Sequence, residues 1–346
     1  MSSIRKRIFG EKQEKEVLGK RKQVFNERSS LGCLRLLVYG LIVLLVIVFA
    51  ISLSFRFSET FRRKMVFMND FNIEFRKNLS KPQDFGLKCV KTHQIVDKEG
   101  VRLGLWHILP LSSNCSVDSK TAFNDNKRVY LYLHGNGGAR GGHHRRLLYQ
   151  KLIETESHVL AFDYRGFGDS SPLKPTKDGL ISDAFSVFKW LLSNEVNPNR
   201  VVVWGHSLGT SVAISLVTGL SESVLPSVLV IESGFTSIGD AVRVHPFSKV
   251  FRFLPFFETF VVKPLIESKE TNFDSFSVIK NVKIPILFLH DTNDAIIPFS
   301  LGKKLFFESE KRQQRTQFVA FDDDFGHKYI VLAKDLAKIL NDFIEK

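Results

Sequence analysis

The chain has 346 residues, of which 44% are hydrophobic and 25% are charged, and its formal net charge is +13. This length and composition suit a folded protein that buries a large core without disulfides or metals. The excess of basic residues is typical of proteins that bind a nucleic acid, an anionic membrane surface or an acidic substrate. Neither zinc-finger spacing nor an RNP-like motif accompanies it, so the sequence argues against nucleic-acid binding.

The N-terminal part of the chain contains a long apolar run. Residues 1–35 are polar and charged, and we expect a disordered basic tail on the cytosolic side. Residues 36–55 carry no charge and are about as long as a helix needs to be to cross a bilayer. A core helix would have a polar face, and a signal peptide has a shorter apolar run nearer the start of the chain. We predict an uncleaved transmembrane helix, with cleavage near Ser52 as the alternative.

The orientation of this span rests on features that follow it. Basic residues flank the span on both sides, so charge alone decides little. Asn78 and Asn114 both begin N-glycosylation acceptor triplets, which favours a cytosolic N-terminus and a lumenal or extracellular position for the rest of the chain. Cys89 and Cys115 lie on the same side in this topology. They either pair in an oxidising compartment or are ordinary buried thiols.

Residues 56–85 form a basic and aromatic connector. Its Phe and Met residues suit a segment that lies along the membrane surface. A helix packed on the domain that follows explains them equally well, and the sequence leaves both alternatives open.

From residue 86 to 346 the pattern becomes regular and predicts one folded domain. A hairpin with its turn at 97–100 comes first, and short apolar runs then alternate with helical segments. This alternation predicts an α/β fold, a mainly parallel sheet with helices on both faces. The apolar runs are residues 129–134, 158–163, 201–205, 227–232, 285–290 and 316–321.

A serine stands at the turn between a predicted strand and a predicted helix. The run VVVWG ends at Gly205, and residues 205–209 read G-x-S-x-G. Glycine is needed two residues before and two residues after the serine, because a side chain there would clash with neighbouring elements. The sequence therefore predicts that Ser207 is a nucleophile lifted above the sheet by a strained turn.

A serine nucleophile needs a base and an acid, which in this strand order follow on later strand ends. Asp291 and Asp294 follow the run at 285–290, and His327 follows the last run. Asp294 lies further into its turn, so we expect it to be the acid and His327 to be the base. We interpret Asp291 as part of the turn itself.

Backbone N–H groups that bind the oxyanion should come from the residue after the nucleophile and from an earlier loop. Leu208 supplies the first. Glycines surround Asn136 in the loop after the first parallel strand, so we expect its backbone N–H to be the second donor. The sequence contains neither a nucleotide-binding motif nor Cys/His metal spacing, so we expect no cofactor and no metal.

These motifs resemble those of the α/β-hydrolase superfamily, and the resemblance covers residues 86–346. The matching segments are LHGNGG (133–138), FDYRGFGDS (162–170), GHSLG (205–209), LHDTNDAIIP (289–298) and GHKY (326–329). The single N-terminal span and GGARGGHHRRLLYQKL (137–152) resemble one branch, the membrane-anchored lysophosphatidylserine and monoacylglycerol lipases.

This resemblance implies a serine hydrolase with its catalytic domain in the lumen of the endoplasmic reticulum. It implies the roles of nucleophile, acid and base for Ser207, Asp294 and His327. The implied substrates are carboxylic esters of lipids, namely lysophosphatidylserine or another lysophospholipid, and monoacylglycerol. His143 stands where the branch has an acidic residue, which leaves head-group recognition open.

Two further features bear on the substrate. Phenylalanines are concentrated in residues 235–276, and we interpret an insertion at about 235–280 as a cap that receives an acyl chain. Alternatively, these rings only pack the core of the cap itself. Arg140, Arg145 and Arg146 either bind a phosphate or carboxylate of a head group, or are exposed helix arginines without such a role.

The sequence leaves three functions to compare. The first is a membrane-anchored esterase that acts on lipids at a bilayer. The second is a hydrolase of another acyl ester or thioester, such as an acylated protein. The third is a non-catalytic binding protein, which predicts a missing triad residue, whereas Ser207, Asp294 and His327 are all present. The sequence indicates no oligomeric state.

Overall fold

The computed structural model describes residues 2–69, 78–118, 121–311 and 315–345, and it leaves out the side chains of 2–15 and 23–30. The chain divides into two compact units, Met1–Ser54 and Phe55–Lys346. The second unit contains the sheet and all the predicted site residues.

The first unit is part of one long helix, α1, which runs over Ser2–Phe57. Its segment Leu31–Phe57 is long and apolar enough to span a membrane, with a mean hydropathy of 3.1 over its most apolar window. The helix also continues back to Ser2, through a segment for which the sequence predicts a disordered tail. Lys, Arg, Glu and Gln in that segment have good helix propensity, and they extend a helix that the apolar run has already nucleated.

The described part of the second unit is built on an eight-stranded sheet in the order β1-β2-β4-β3-β5-β6-β7-β8. The first two strands form an antiparallel hairpin, β2 is antiparallel to β4, and the remaining neighbours are parallel. The predicted α/β fold with a mainly parallel sheet is therefore confirmed. The strands are β1 (Val90–Val96), β2 (Arg102–Ile108), β3 (Val129–Leu133), β4 (His158–Phe162), β5 (Val201–His206), β6 (Val228–Glu232), β7 (Ile286–Asp291) and β8 (Thr316–Phe321).

Helices cover both faces of this sheet. Trp204 and Tyr132 face a core shared with α3 and α10, while their strand neighbours Val203 and Leu131 are also fully buried. Because alternate strand residues point to opposite faces, both faces must be covered. The helices are α2 (Glu59–Phe67), α3 (His143–Ile153), α4 (Lys177–Ser193), α5 (Leu208–Gly219), α6 (Ile238–Val244), α7 (Lys263–Glu267), α8 (Ser275–Ile279), α9 (Phe299–Glu310) and α10 (Leu336–Ile344).

Helix α2, in the connector, packs on the catalytic domain. Arg63 is buried and its Nη1 donates to Oε2 of Glu270 at 2.9 Å. The ring of Phe67 is fully buried, with its centroid 6.1 Å from that of Phe273. Of the two alternatives for the connector, the structure favours packing on the domain for α2. Residues 70–77 of the connector lie outside the described residues.

The features that bear on topology lie near the hairpin. The sulfurs of Cys89 and Cys115 form a disulfide, and their Cα atoms are 5.0 Å apart. The side chains of Asn78 and Asn114 are both exposed. The structure therefore selects pairing over two separate thiols and leaves both acceptor asparagines accessible.

The phenylalanines of the cap region differ in burial, and Phe251, Phe256, Phe260 and Phe276 are half-buried. Phe235, Phe257 and Phe273 are buried and pack its interior. Phe247 and Phe253 point outward, with 66% and 85% of their surface exposed. Packing of the cap's own core therefore does not explain these two outward-pointing rings.

Candidate active site

Ser207 lies in a sharp turn between β5 and α5. Its φ is +53°, a left-handed conformation that costs a non-glycine residue about 1 kcal/mol or more. A Cβ on Gly205 would lie 2.6 Å from the carbonyl oxygen of Gly209, and one on Gly209 would collide with the carbonyl oxygen of Leu133. The two glycines are therefore sterically required, and the turn projects the serine above the carboxyl edge of the sheet.

A continuous hydrogen-bond chain joins Ser207, His327 and Asp294. The Oγ of Ser207 is 2.9 Å from Nε2 of His327, and Nδ1 of the same ring is 2.8 Å from Oδ2 of Asp294. With the carboxylate ionised, Nδ1–H donates to Asp294 and Nε2 accepts from the serine hydroxyl. This arrangement activates a serine for nucleophilic attack.

Asp294 is held in its ionised form. Burial alone would raise its pKa, but hydrogen bonds from His290 and His327 and from the backbone N–H of Ile297 bring the pKa below its ordinary value. The N–H groups of Ile296 and Ile297 both donate to Oδ1 at 2.9 Å. Oδ2 therefore remains turned toward His327.

Asp291, the other carboxylate of this turn, connects two loops instead. Its Oδ1 accepts from the N–H of Asn293 at 2.8 Å, and its Oδ2 accepts from the N–H of Phe325 at 3.0 Å. The acid loop is thus joined to the loop that carries His327. Of the two aspartates, the structure brings only Asp294 to His327.

His206 is a residue near the triad to which the sequence analysis gives no role. Its Nε2 lies 2.8 Å from the backbone carbonyl of His327. Burial, together with the nearby His327, lowers the pKa of His206 to about 3, so the ring is neutral and Nε2–H donates to that carbonyl. The bond ties the histidine loop to the nucleophile turn. The sequence feature that could have pointed to His206 is its position directly before the predicted nucleophile.

The loop after β3 lies against the nucleophile. A Cβ on Gly135 would be 3.0 Å from the Cβ of Ser207. Within the described part of the chain, no acceptor bonds the backbone N–H of Asn136. Leu208 begins α5, so its N–H has no partner within the helix. Both predicted oxyanion donors therefore have N–H groups available beside Ser207.

Comparison with known proteins decides the family. A model of the alpha/beta hydrolase family matches residues 130–324. The lysophosphatidylserine lipase ABHD12 of Danio rerio is 36% identical over 317 residues, which cover 88% of this chain and 82% of the relative. The same-named protein of Gallus gallus is 38% identical over 323 residues, covering 90% of this chain and 83% of the relative. The chain belongs to the α/β-hydrolase family.

Solved structures agree with this hydrolase in fold. The Pyrococcus furiosus esterase Pf2001 superposes with a TM-score of 0.58 at 20% identity, and the match covers 76% of this chain and 92% of the esterase. At this identity the similarity supports the fold alone. The superfamily resemblance drawn from the motifs is thus confirmed by both the family model and the relatives.

The structure gives the three arginines after the Gly-rich loop of this hydrolase internal partners, which is neither of the two alternatives left open by the sequence. Arg140 is buried and bonds Asp163 and Asp169, at 2.5 and 2.6 Å. Arg145 is buried against carbonyl oxygens of the loop. Arg146 donates to Gly141 and Phe85 carbonyls. Their guanidinium groups satisfy internal acceptors that would otherwise be buried without a donor.

Proposed function

We propose that this hydrolase is a membrane-anchored serine esterase that cleaves lysophospholipids, lysophosphatidylserine above all, and monoacylglycerols. The hydrogen-bond chain from Ser207 through His327 to Asp294, at 2.9 and 2.8 Å, is the observation that carries the proposal. The lysophosphatidylserine lipases that are 36–38% identical to the chain support the choice of substrate.

The first half of the reaction forms an acyl-enzyme. Nε2 of His327 takes the hydroxyl proton as Oγ of Ser207 attacks the ester carbonyl carbon. The backbone N–H groups of Asn136 and Leu208 donate to the oxyanion of the tetrahedral intermediate. His327 then gives its proton to the leaving alcohol, the glycerol part of the lipid, and the ester bond breaks.

The second half releases the fatty acid. His327 removes a proton from water as the water attacks the acyl carbonyl, and the same donors hold the second oxyanion. Collapse of this intermediate returns the proton to Oγ of Ser207 and frees a carboxylic acid. Asp294 stays ionised throughout, orients the ring and stabilises the imidazolium.

The outer face of the cap supports a lipid as the substrate. Turns with three-residue spacing follow His245, with N–H groups of Ser248, Phe251 and Leu254 each bonded three residues back. This spacing places Phe247, Val250 and Phe253 on one side, and all three are at least 64% exposed. His245, where these turns begin, has its pKa lowered by burial and then by the charges of His327 and Arg252. An exposed apolar face on the cap suits an acyl chain that leaves a bilayer.

We further propose that α1 spans the membrane of the endoplasmic reticulum, with a cytosolic N-terminus and a lumenal catalytic domain. The disulfide between Cys89 and Cys115 supports this topology because disulfides persist in oxidising compartments. The exposed acceptors Asn78 and Asn114 support it as well. Glycosidase treatment should increase the mobility of the protein from cells, and the Asn78→Gln/Asn114→Gln double variant should not respond. A wild type that does not respond argues for the opposite orientation.

Hydrolysis of a lipid panel by the full chain tests the proposal. We expect fatty acid release from lysophosphatidylserine and monoacylglycerol, and a loss of about 10³–10⁶-fold in Ser207→Ala. Ser211→Ala is the matched control, because Ser211 is a buried serine four residues further on whose Oγ contacts Ser275. Release from an acylated peptide but from no lipid would select the second function. Failure of a fluorophosphonate to label folded wild type would select a non-catalytic protein.

A further inference from the structure

Arg145 occupies an unusual place for a cation. It lies in the first turn of α3, a turn without any acidic residue, where the helix dipole disfavours positive charge. Only 3% of its surface is exposed. Within the described part of the chain, no carboxylate lies within ion-pair distance of its guanidinium group. A buried cation in such a place needs a specific set of acceptors.

Those acceptors are alternate carbonyl groups of the loop that carries Asn136. Nη2 of Arg145 donates to the carbonyl oxygens of Gly135 at 3.1 Å and Gly137 at 2.8 Å. Nη1 donates to the carbonyl oxygen of Ala139 at 2.5 Å. One planar guanidinium group therefore fixes three alternate peptide groups along the loop.

The geometry of the peptide group determines where the N–H groups that follow these carbonyls point. In a planar trans peptide, the carbonyl of one residue points opposite to the N–H of the next. Because the Gly135 carbonyl points at Arg145, the N–H of Asn136 points away from it. The same rule explains why the N–H after the Ala139 carbonyl, that of Arg140, reaches Oδ1 of Asp163 at 2.6 Å.

The loop would not hold this shape unaided. Gly137 and Gly138 both have φ of +66°, and glycine is the residue that loses most conformational freedom when it is ordered. Other groups bond single points of the segment: Nδ1 of His134 lies 2.8 Å from the carbonyl oxygen of Gly135, and the N–H of Gly137 makes a bond of 3.3 Å to the carbonyl of Phe67. Arg145 is the side chain that bonds the carbonyls of Gly135, Gly137 and Ala139 together.

We propose that Arg145 is the positioning residue of the oxyanion site, which aims the N–H of Asn136 and strengthens it as a donor. Its positive charge lies on the carbonyl side of the 135–136 peptide and polarises that group toward a more acidic N–H. The proposal rests on the proposed function because it assigns Asn136 to the oxyanion. It explains why a buried cation stands at the start of α3 without a carboxylate.

The test compares Arg145→Met and Arg145→Lys with Arg146→Met in the full chain, using a soluble short-chain ester. For Arg145→Met we expect kcat to fall about 10²–10³-fold, as when an oxyanion donor is lost, with little change in KM. Affinity for a trifluoromethyl ketone, whose serine adduct carries an oxyanion, should fall in parallel. Arg145→Lys keeps the charge and should recover part of kcat. Arg146→Met, which removes the neighbouring arginine, should retain both kcat and ketone affinity.

Hydrogen exchange of the loop separates this proposal from the proposed function. We expect the amides of residues 135–141 to exchange faster in Arg145→Met than in Arg146→Met, whether or not either protein hydrolyses the lipid. Unchanged kcat, ketone affinity and exchange in folded Arg145→Met would overturn the proposal. Equal losses of kcat and ketone affinity in Arg145→Met and Arg146→Met would also overturn it, because both arginines would then only stabilise α3.

Discussion

At the scale of single residues, the two aspartates after β7 have different tasks. Asp294 contacts His327, whereas Asp291 joins two backbone N–H groups of neighbouring loops. Both carboxylates are buried, with at most 5% of their surface exposed, so burial does not distinguish them. The two aspartates differ in the direction in which their carboxylates point from the same turn.

This difference predicts opposite outcomes for two similar substitutions. Asp294→Asn should lower kcat roughly 10³–10⁴-fold because an amide favours the wrong histidine tautomer, while the protein stays folded. Asp291→Asn should mainly lower the melting temperature, because it weakens two backbone bonds. Steady-state kinetics and thermal unfolding of both variants check this. Full activity in Asp294→Asn would exclude it as the acid.

The sequence predicted three residues that the structure brings into one hydrogen-bond chain, but not the residues that hold their loops in place. Ser207, Asp294 and His327 were predictable because each follows a strand end whose position the apolar runs reveal. The bonds of His206 and Arg145 were not predictable, since their acceptors are backbone carbonyls of other segments. Those carbonyls take their directions from two left-handed glycines and from the fold of the histidine loop.

At the scale of elements, the cap presents an apolar face instead of hiding it. The rings of Phe247 and Phe253 are 66% and 85% exposed, although phenylalanines of the same segment fill its interior. The density of Phe in the sequence predicted an aromatic cap, but not which rings point outward. That choice depends on the three-residue turns after His245, which the sequence pattern does not reveal.

We predict that charges on this face impair the use of lipid in a bilayer. Phe247→Asp/Phe253→Asp should lower turnover of monoacylglycerol embedded in vesicles about tenfold, because carboxylates disfavour contact with the acyl region. Turnover of a soluble short-chain ester should stay unchanged. Leu173→Asp, at a hydrophobic side chain that is 47% exposed outside the cap, is the control. Equal loss on both substrates would show damage to the site instead of to lipid entry.

At the scale of the whole molecule, a buried carboxyl group beside the nucleophile turn makes stability depend on pH. Glu232 ends β6; its backbone carbonyl accepts from Ser207 N–H at 3.0 Å, and Trp204 Nε1–H donates to its carboxyl at 2.8 Å. Burial raises the pKa of Glu232 from 4.5 to about 7. A raised pKa favours the folded state most below pH 4.5, and this contribution is lost as pH rises through about 7.

The Glu232→Gln variant should isolate this contribution. The free energy of unfolding of Glu232→Gln, minus that of wild type, should rise by about 3 kcal/mol as the pH increases from 4.5 to about 7. At higher pH this difference should stay constant. Subtracting the wild-type value removes the contributions of other titrating groups. These include the buried His107 and His158, whose lowered pKa values make the folded state more stable as the pH rises. Urea unfolding across this range measures it. A pH-independent difference would mean that Glu232 ionises normally in the folded protein.

The proposed reaction depends on a covalent bond to one atom, Oγ of Ser207. Rapid quenching of the full chain with lysophosphatidylserine, followed by mass spectrometry of its peptides, tests this directly. We predict that the peptide containing Ser207 gains the mass of the acyl group, and that Ser207→Ala shows neither this adduct nor fatty acid release. Turnover of the lipid with the acyl group on another residue, or undiminished turnover by Ser207→Ala, would contradict the account.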